Sequence, residues 1–339
     1  MPELRKDPVI GRWVIISTER SRRPSAFSTT TRTEDPALCP FCPGHEDATP
    51  PEVLAYRQEG TERNKPGWDL RVISNKFPAL RVEGTLSREP HGIYDRMNGI
   101  GAHEVIIETP HHGQDMVDMS VEQIRNVLWA YRERMLDLQR DVRLKYILVF
   151  KNHGAAAGAS LEHSHSQLIA TPVVPRRVTE KLEGAKRYYG FRERCIFCDI
   201  IRQEISDKER LVADSDAFLT FAPFASKFPF ETWIIPKMHQ PSYLDMNDTD
   251  YTLLARCLKD TLARLKIALN NPAYNFMIHT RPTSRESREH FHWHLEIIPK
   301  LTKVAGFEWG SGFYINPTAP EEAAAFLRNI DVEQGKTSR

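Results

Sequence analysis

"HSHSQLIATPVVP", residues 163–175, has a second copy late in the chain in "HFHWHLEIIPK", residues 290–300, and this pairing decides how the molecule is built. Side chains two apart in a β-strand share a face. His163, His165 and Gln167 therefore line one side of the first copy, and Ser164 and Ser166 the other. Upstream of both segments the correspondence continues. "YILVFKNHG" (146–154) matches "YNFMIHTRP" (274–282), both reading as strands. "DMSVEQIRNVLWAYRERMLDLQ" (118–139) matches "DMNDTDYTLLARCLKDTLARLK" (245–266), with apolar residues at helical spacing in each. "EVIIETPHH" (104–112) and "ETWIIPKMH" (231–239) both run nine residues from Glu to His, at an offset of 127. "SNKFPAL" (74–80) matches "ASKFPFE" (225–231), and "CPFC" (39–42) matches "CIFC" (195–198).

The chain is thus written twice, and the repeat predicts an α+β fold of two tandem halves, antiparallel sheets with packed helices. In the first helix Ser120 is the expected N-cap, with Gln123 completing a capping box. Val121, Ile124, Leu128, Tyr131, Met135 and Leu138 form its buried stripe. Leu254, Cys257, Leu258, Leu262 and Leu265 do the same in the second, so lone Cys257 reads as a core residue. The segment 176–194, rich in Arg, Lys and Glu, joins the halves. The expected boundary gives halves 1–180 and 181–339; the alternative is two half-sheets merged into one unit.

A chain of 339 residues holds about two domains of ordinary size. A net charge of +1 carries no footprint of a nucleic-acid or membrane-surface binder. The charged start, "MPELRKDPVIGRW", and the lack of a long apolar run predict a cytoplasmic location. Five cysteines, four of them in two C-x-x-C pairs, favour metal binding over disulfides. Each pair is followed at the aligned position by a histidine and then by the first His of its strand motif. Cys39, Cys42, His112 and His163 form one Cys₂His₂ set, and Cys195, Cys198, His239 and His292 the other. Two thiolates and two imidazoles suit a closed, tetrahedral, structural zinc ion, so two zinc sites are expected. The second set has a rival: His279, His292 and His294, with Glu180 or Glu183, form a histidine-rich site for iron or zinc.

With His163 taken as a ligand, His165 is the free histidine of its motif. It follows "NHGAAAGAS" (152–160), where small residues let a phosphate approach backbone N–H groups. An imidazole beside bound phosphate is an effective nucleophile toward phosphorus near neutral pH. Gln167 can donate a hydrogen bond to a phosphoryl oxygen but supplies no proton, which suits leaving groups that are already weak bases. Transfer between phosphates is the expected chemistry. No Walker loop, G-x-G-x-x-G or G-x-S-x-G supports another class.

At these residues the chain resembles the galactose-1-phosphate uridylyltransferase family of the histidine-triad superfamily. The resemblance runs from "DPVIGRWVIIS" through "CPFC", "FKNHGAAAGAS", "HSHSQ" and "FPFETWIIPKMH" to "HFHWH". It implies two histidine-triad-like halves, a homodimer, and ping-pong transfer between a nucleotide sugar and a sugar 1-phosphate or phosphate through a nucleotidyl-histidine. By position it implies His165 as nucleophile, and Ser160 and Gln167 as hydrogen-bonding the phosphates. Asn152 and Gly158 fall around the transferred group, and Asn75 and Arg23 near the nucleotide. Cys39, Cys42, His112 and His163 fall on the family's zinc ligands. Ser164 replaces the proline of the usual His-Pro-His, and "GFEWGSGFYINP" (306–317) lacks a Lys-containing sugar-contact pattern. These departures and the second C-x-x-C resemble the ADP-glucose phosphorylase branch. The expected activity is UDP-glucose:galactose-1-phosphate uridylyl transfer in galactose metabolism. Adenylyl transfer by the same histidine, and a non-catalytic zinc-stabilised binding module, are the alternatives.

Overall fold

The computed structural model describes residues 3–10, 13–16, 36–284, 289–333 and 336–337. Its centre is one ten-stranded, wholly antiparallel sheet. The first half supplies β1 (Glu52–Arg57), β2 (Trp68–Ser74), β3 (Ala102–Ile107), β4 (Tyr146–His153) and β5 (His165–Thr171). The second supplies β6 (Leu211–Asp214), β7 (Phe218–Phe221), β8 (Thr232–Pro236), β9 (Tyr274–His279) and β10 (His294–Pro299). Their spatial order is β6-β7-β8-β10-β9-β4-β5-β3-β2-β1. Outward from the middle, each half repeats the same order of equivalent strands.

The halves meet edge to edge, β4 against β9, with Asn152 directly opposite Asn275. Left apart, each half would present an unpaired edge of backbone donors and acceptors at this point. The merged sheet satisfies both.

Helix α1 (Val121–Leu138) and helix α4 (Asp248–Ala268) cover one face. Ile124, Leu128, Tyr131, Leu254, Leu258 and Leu262 share a single core with Val72, Ile106, Leu168, Phe276 and Leu295 from both halves of the sheet. Ser120 caps α1 by accepting the Gln123 N–H at 3.0 Å. The capping box is not closed, however, because the Gln123 side chain donates instead to the carbonyls of Asp69 and Glu108, tying α1 to the sheet. Val121 and Cys257 are half-buried at the rim of this core. Cys257 lies 3.3 Å from Ser215 Oγ, and burial pushes its thiol up, as suits a packing residue.

The charged connector is itself a helix, α2 (Arg176–Arg192), followed by α3 (Ile196–Asp207). Both lie on the opposite face, over the second half only: Ala185, Ile196, Phe197 and Ile201 pack on Leu219, Phe221, Trp233 and Ile235. The same face of the first half is lined by Phe41, Val105 and Ile107. This asymmetry separates two otherwise equivalent sites.

Candidate active site and metal clusters

Strands β4 and β5 with the turn between them build the first site. The two-residue period places His163, His165 and Gln167 on one face, and Phe150, which pairs with Gln167, extends that face to Asn152 two residues on. The His165 imidazole is buried, with the Phe41 ring edge-on at 5.4 Å. Its Nδ1 donates to the His163 carbonyl at 2.8 Å. That bond fixes the tautomer and makes Nε2 the nitrogen with the lone pair.

Gly154 at φ +79° and Gly158 at φ +88° carry the turn, a conformation few other residues adopt. Asn275 reaches in from β9 and donates to Asn152 Oδ1 at 2.7 Å and to the Ala157 carbonyl at 2.8 Å. The second half thereby buttresses the turn of the first. Gly158 and Ser160 are exposed on it. Asn75, just past β2, accepts the Phe77 N–H at 2.8 Å and places its Nδ2 3.1 Å from His103 Nε2. His103 Nε2 lies 2.8 Å from Gln167 Oε1. Asn75, Asn152, Gly158, Ser160, His165 and Gln167 are therefore brought to one face and one turn. Arg23 lies outside the described residues.

Beneath β5, on the helix side, Lys151 and Glu108 form a fully buried ion pair at 2.6 Å. Lys151 also donates to Ser164 Oγ and to the His165 carbonyl, each at 3.0 Å. Burial alone raises Glu108, but Lys151 and its hydrogen bonds outweigh this and hold the carboxyl below its usual range. With every donor of the ammonium engaged, the pair ties the backbone of the His-x-His segment.

Both Cys₂His₂ sets assemble, the ligand atoms of each within 4.8 Å of one another. Cys39 and Cys42 Sγ lie 3.6 Å from His163 Nδ1, and Cys42 Sγ lies 3.4 Å from His112 Nδ1. Metal bonds of about 2.3 Å to sulfur and about 2.0 Å to nitrogen imply tetrahedral edges of about 3.5 Å, so the donors fit such an ion. His163 Nε2 donates to the Thr109 carbonyl at 2.8 Å, which turns Nδ1 toward the sulfurs. Burial pushes His163 down to about 4, keeping it in the neutral, ligating form. In the second set Cys198 Sγ lies 3.4 Å from His239 Nδ1 and 3.6 Å from His292 Nδ1.

The rival histidine-rich set is not assembled as expected. His292 is turned to the cysteines, Glu180 pairs with Arg176 at 3.1 Å, and Glu183 is exposed. The carboxylate beside His279 and His294 is Glu296. Lys227 and Lys181 bind it at 2.5 and 3.4 Å. Burial raises Glu296, yet the two lysines and His279 hold it well below the usual range. Two ammonium groups on one carboxylate oppose a further cation there.

This cluster is the internal counterpart of the first site. His294 repeats the His165 geometry, its Nδ1 donating to the His292 carbonyl at 3.2 Å. Its Nε2, though, accepts from Lys181 of α2 at 3.1 Å, and Trp233 stacks on the ring at 4.5 Å. The copied histidine is capped and covered. His294→Ala is therefore expected to leave steady-state transferase activity within about threefold of the unmodified protein, as for a side chain outside the reacting centre. A loss as deep as that of His165→Ala in a folded protein would reverse the assignment of the halves.

Two family profiles match the chain: "Galactose-1-phosphate uridyl transferase, N-terminal domain" over residues 1–175, and the corresponding C-terminal domain over residues 181–332. An ADP-glucose phosphorylase of Arabidopsis thaliana is 40% identical over 338 residues, spanning 98% of this chain and 93% of that one. A galactose-1-phosphate uridylyltransferase of Thermotoga maritima is 31% identical over 342 residues, spanning 98% and 100%. The crystal structure of an Arabidopsis thaliana ADP-glucose phosphorylase with bound ADP-glucose superposes at a TM-score of 0.84, with 39% identity and coverage of 98% and 99%. A chain with this fold and this histidine site is an enzyme, a nucleotidyltransferase. It belongs to the galactose-1-phosphate uridylyltransferase family.

Sequence reasoning did not single out His103, Asn275, Lys181 or the Lys151–Glu108 pair. The alternation "AHEVII" (102–107) marks His103 as sharing a face with Val105 and Ile107. The Lys151–Glu108 pair needs the pairing of β3 and β4 on either side of β5, and the other contacts need the register of β4 against β9 or the placement of α2. No helix among the described residues is long and apolar enough to cross a membrane.

Proposed function

We propose that the chain moves a nucleotidyl group from a nucleotide sugar to a phosphate-bearing acceptor through His165. Its supporting observation is the His165 tautomer, which leaves Nε2 nucleophilic beside a glycine turn whose backbone can approach phosphate. In the first step Nε2 attacks the α-phosphorus, and the bond to the sugar phosphate breaks as that group departs. In the second, the acceptor phosphate takes the nucleotidyl group and Nε2 is regenerated. Gln167 and Ser160 donate to phosphoryl oxygens, Asn152 and Gly158 line the transferred group, and Asn75 and Arg23 hold the nucleotide.

Residues 1–180 form the catalytic half. The Cys₂His₂ clusters hold zinc that acts through structure rather than in a chemical step. The enzyme works as a cytoplasmic homodimer.

The family reaction is transfer from UDP-glucose to galactose 1-phosphate. Adenylyl transfer from ADP-glucose to phosphate is favoured by the 40% identity to the ADP-glucose phosphorylase, against 31% to the uridylyltransferase. A panel crossing UDP- and ADP-sugars with galactose 1-phosphate and inorganic phosphate separates the two. The preferred pair is expected to exceed the other by at least about 10²-fold in kcat/KM, the scale of one well-placed polar contact. No transfer with any pair would reject the reading.

A further inference from the structure

We propose that His103 is a positioning residue that sets which way the Gln167 carboxamide faces. The proposal rests on the reading that Gln167 donates to the phosphoryl oxygens, and it names what makes that donation possible.

Val105 of β3 lies opposite Gln167 of β5, so His103 sits two residues along on the same face, within diagonal reach. The Ala79 backbone N–H donates to His103 Nδ1 at 3.1 Å. A backbone N–H has no other role, so Nδ1 carries a lone pair and the ring proton resides on Nε2. Nε2 lies 2.8 Å from Gln167 Oε1 and donates to it. A carboxamide is nearly symmetric in shape, and its oxygen and NH₂ ends are distinguished only by their partners. Here a donor of fixed sense captures the oxygen. The NH₂ end is thereby turned away from β3, and it makes no hydrogen bond among the described residues.

The Asn75 geometry agrees. Its Oδ1 is held by the Phe77 N–H, so the group facing His103 Nε2 at 3.1 Å is its NH₂. Two donors cannot satisfy each other, and the Asn75 hydrogens stay available to an acceptor on a ligand. One imidazole thus leaves two amide donors unspent at a site that must receive an anion.

The second half shows the contrast. Trp233 lies opposite Glu296 as Val105 lies opposite Gln167, so in the second half Glu231 stands where His103 stands and Glu296 where Gln167 stands. A carboxylate has no end to be chosen, and lysines hold it instead. Without His103, Gln167 can present its oxygen to a phosphoryl oxygen, a repulsive contact in place of a hydrogen bond.

The test is a double-mutant cycle read in single-turnover labelling of the whole protein by UDP-glucose and ADP-glucose radiolabelled in the α-phosphate. At saturating nucleotide sugar, His103→Ala is expected to slow label uptake about tenfold, with little change in the concentration needed for half-saturation. In the Gln167→Ala background the same substitution should add less than about twofold, because its partner is already gone. His103→Gln, which restores a donor at similar reach, should recover label uptake to within about threefold of the unmodified rate. All variants are compared at equal metal content and equal thermal midpoint. His103→Ala at the unmodified rate overturns the proposal. So do tenfold effects that multiply in the double variant. Gln167→Ala labelling at the unmodified rate removes the reading on which the proposal rests, a distinct outcome from failure of the cycle.

Discussion

Given a nucleotide sugar radiolabelled in the α-phosphate and no acceptor, the protein is expected to become labelled on His165. The His163 carbonyl takes the Nδ1 proton at 2.8 Å, so attack on phosphorus runs from Nε2 and forms an N–P bond. Such a phosphoramidate is labile in acid and comparatively stable in base. Adding a sugar 1-phosphate or inorganic phosphate should discharge the label, as a ping-pong cycle requires. His165→Asn keeps a similar size and loses the nucleophilic nitrogen. Labelling should then fall by roughly 10⁴-fold or more, the scale of deleting a covalent nucleophile, while nucleotide binding persists. Gln167→Ala should still label, slower by roughly 10²-fold, as for one donor to developing charge. Acid-stable label, or label that survives in His165→Asn, would assign the nucleophile elsewhere. Binding without any label would favour direct transfer.

The second large effect concerns metal. Protein purified without added metal should contain about two zinc ions per chain, one for each closed set of two thiolates and two imidazoles. The two are expected to leave a chelator-treated sample unequally. The two sets match in burial at three ligands and differ at one: His112 is half-buried, whereas His239 is exposed. The second ion should therefore depart first, with transferase activity largely retained. Loss of the first should lower both stability and rate, since His163 belongs to the first Cys₂His₂ set and its carbonyl orients His165. Structural zinc supplies about 10–16 kcal/mol to small domains, and a third of that would lower Tm by about 5–7 °C in a chain of this length. Cys39→Ser should show the same fall in a thermal scan without changing which nucleotide is preferred. Near-zero metal in fully stable, active protein would reject both sites.

The two Cys₂His₂ clusters and the histidine face were legible because their residue types are specific and their spacing local. C-x-x-C, the aligned His112 and His239, and His-x-His at two-residue period need only the strand rule to bring side chains to one face. The capping box at Ser120 shows the limit of such reading. Ser120 and Gln123 have the right spacing, but Gln123 is drawn to the carbonyls of Asp69 and Glu108, a tertiary attraction that spacing cannot register.

The sequence by itself determined that the protein has two equivalent halves, each with a Cys₂His₂ set and an amphipathic helix, and that His165 and Gln167 share a face behind a glycine turn. These follow from periods of two and 3.6 residues and from the chemistry of each side chain, all properties of short segments. The sequence also set Glu296 where Gln167 stands, and the tertiary structure decided the further differences between the halves. Pairing β4 with β9 set Asn275 against Asn152 and the turn. Folding α2 over the second half brought Lys181 onto His294 and capped the copied histidine. The register of β3 on β5 placed His103 against Gln167. Register and helix placement are chosen by which buried surfaces fit one another across long sequence separations, so local periodicity carries no record of them.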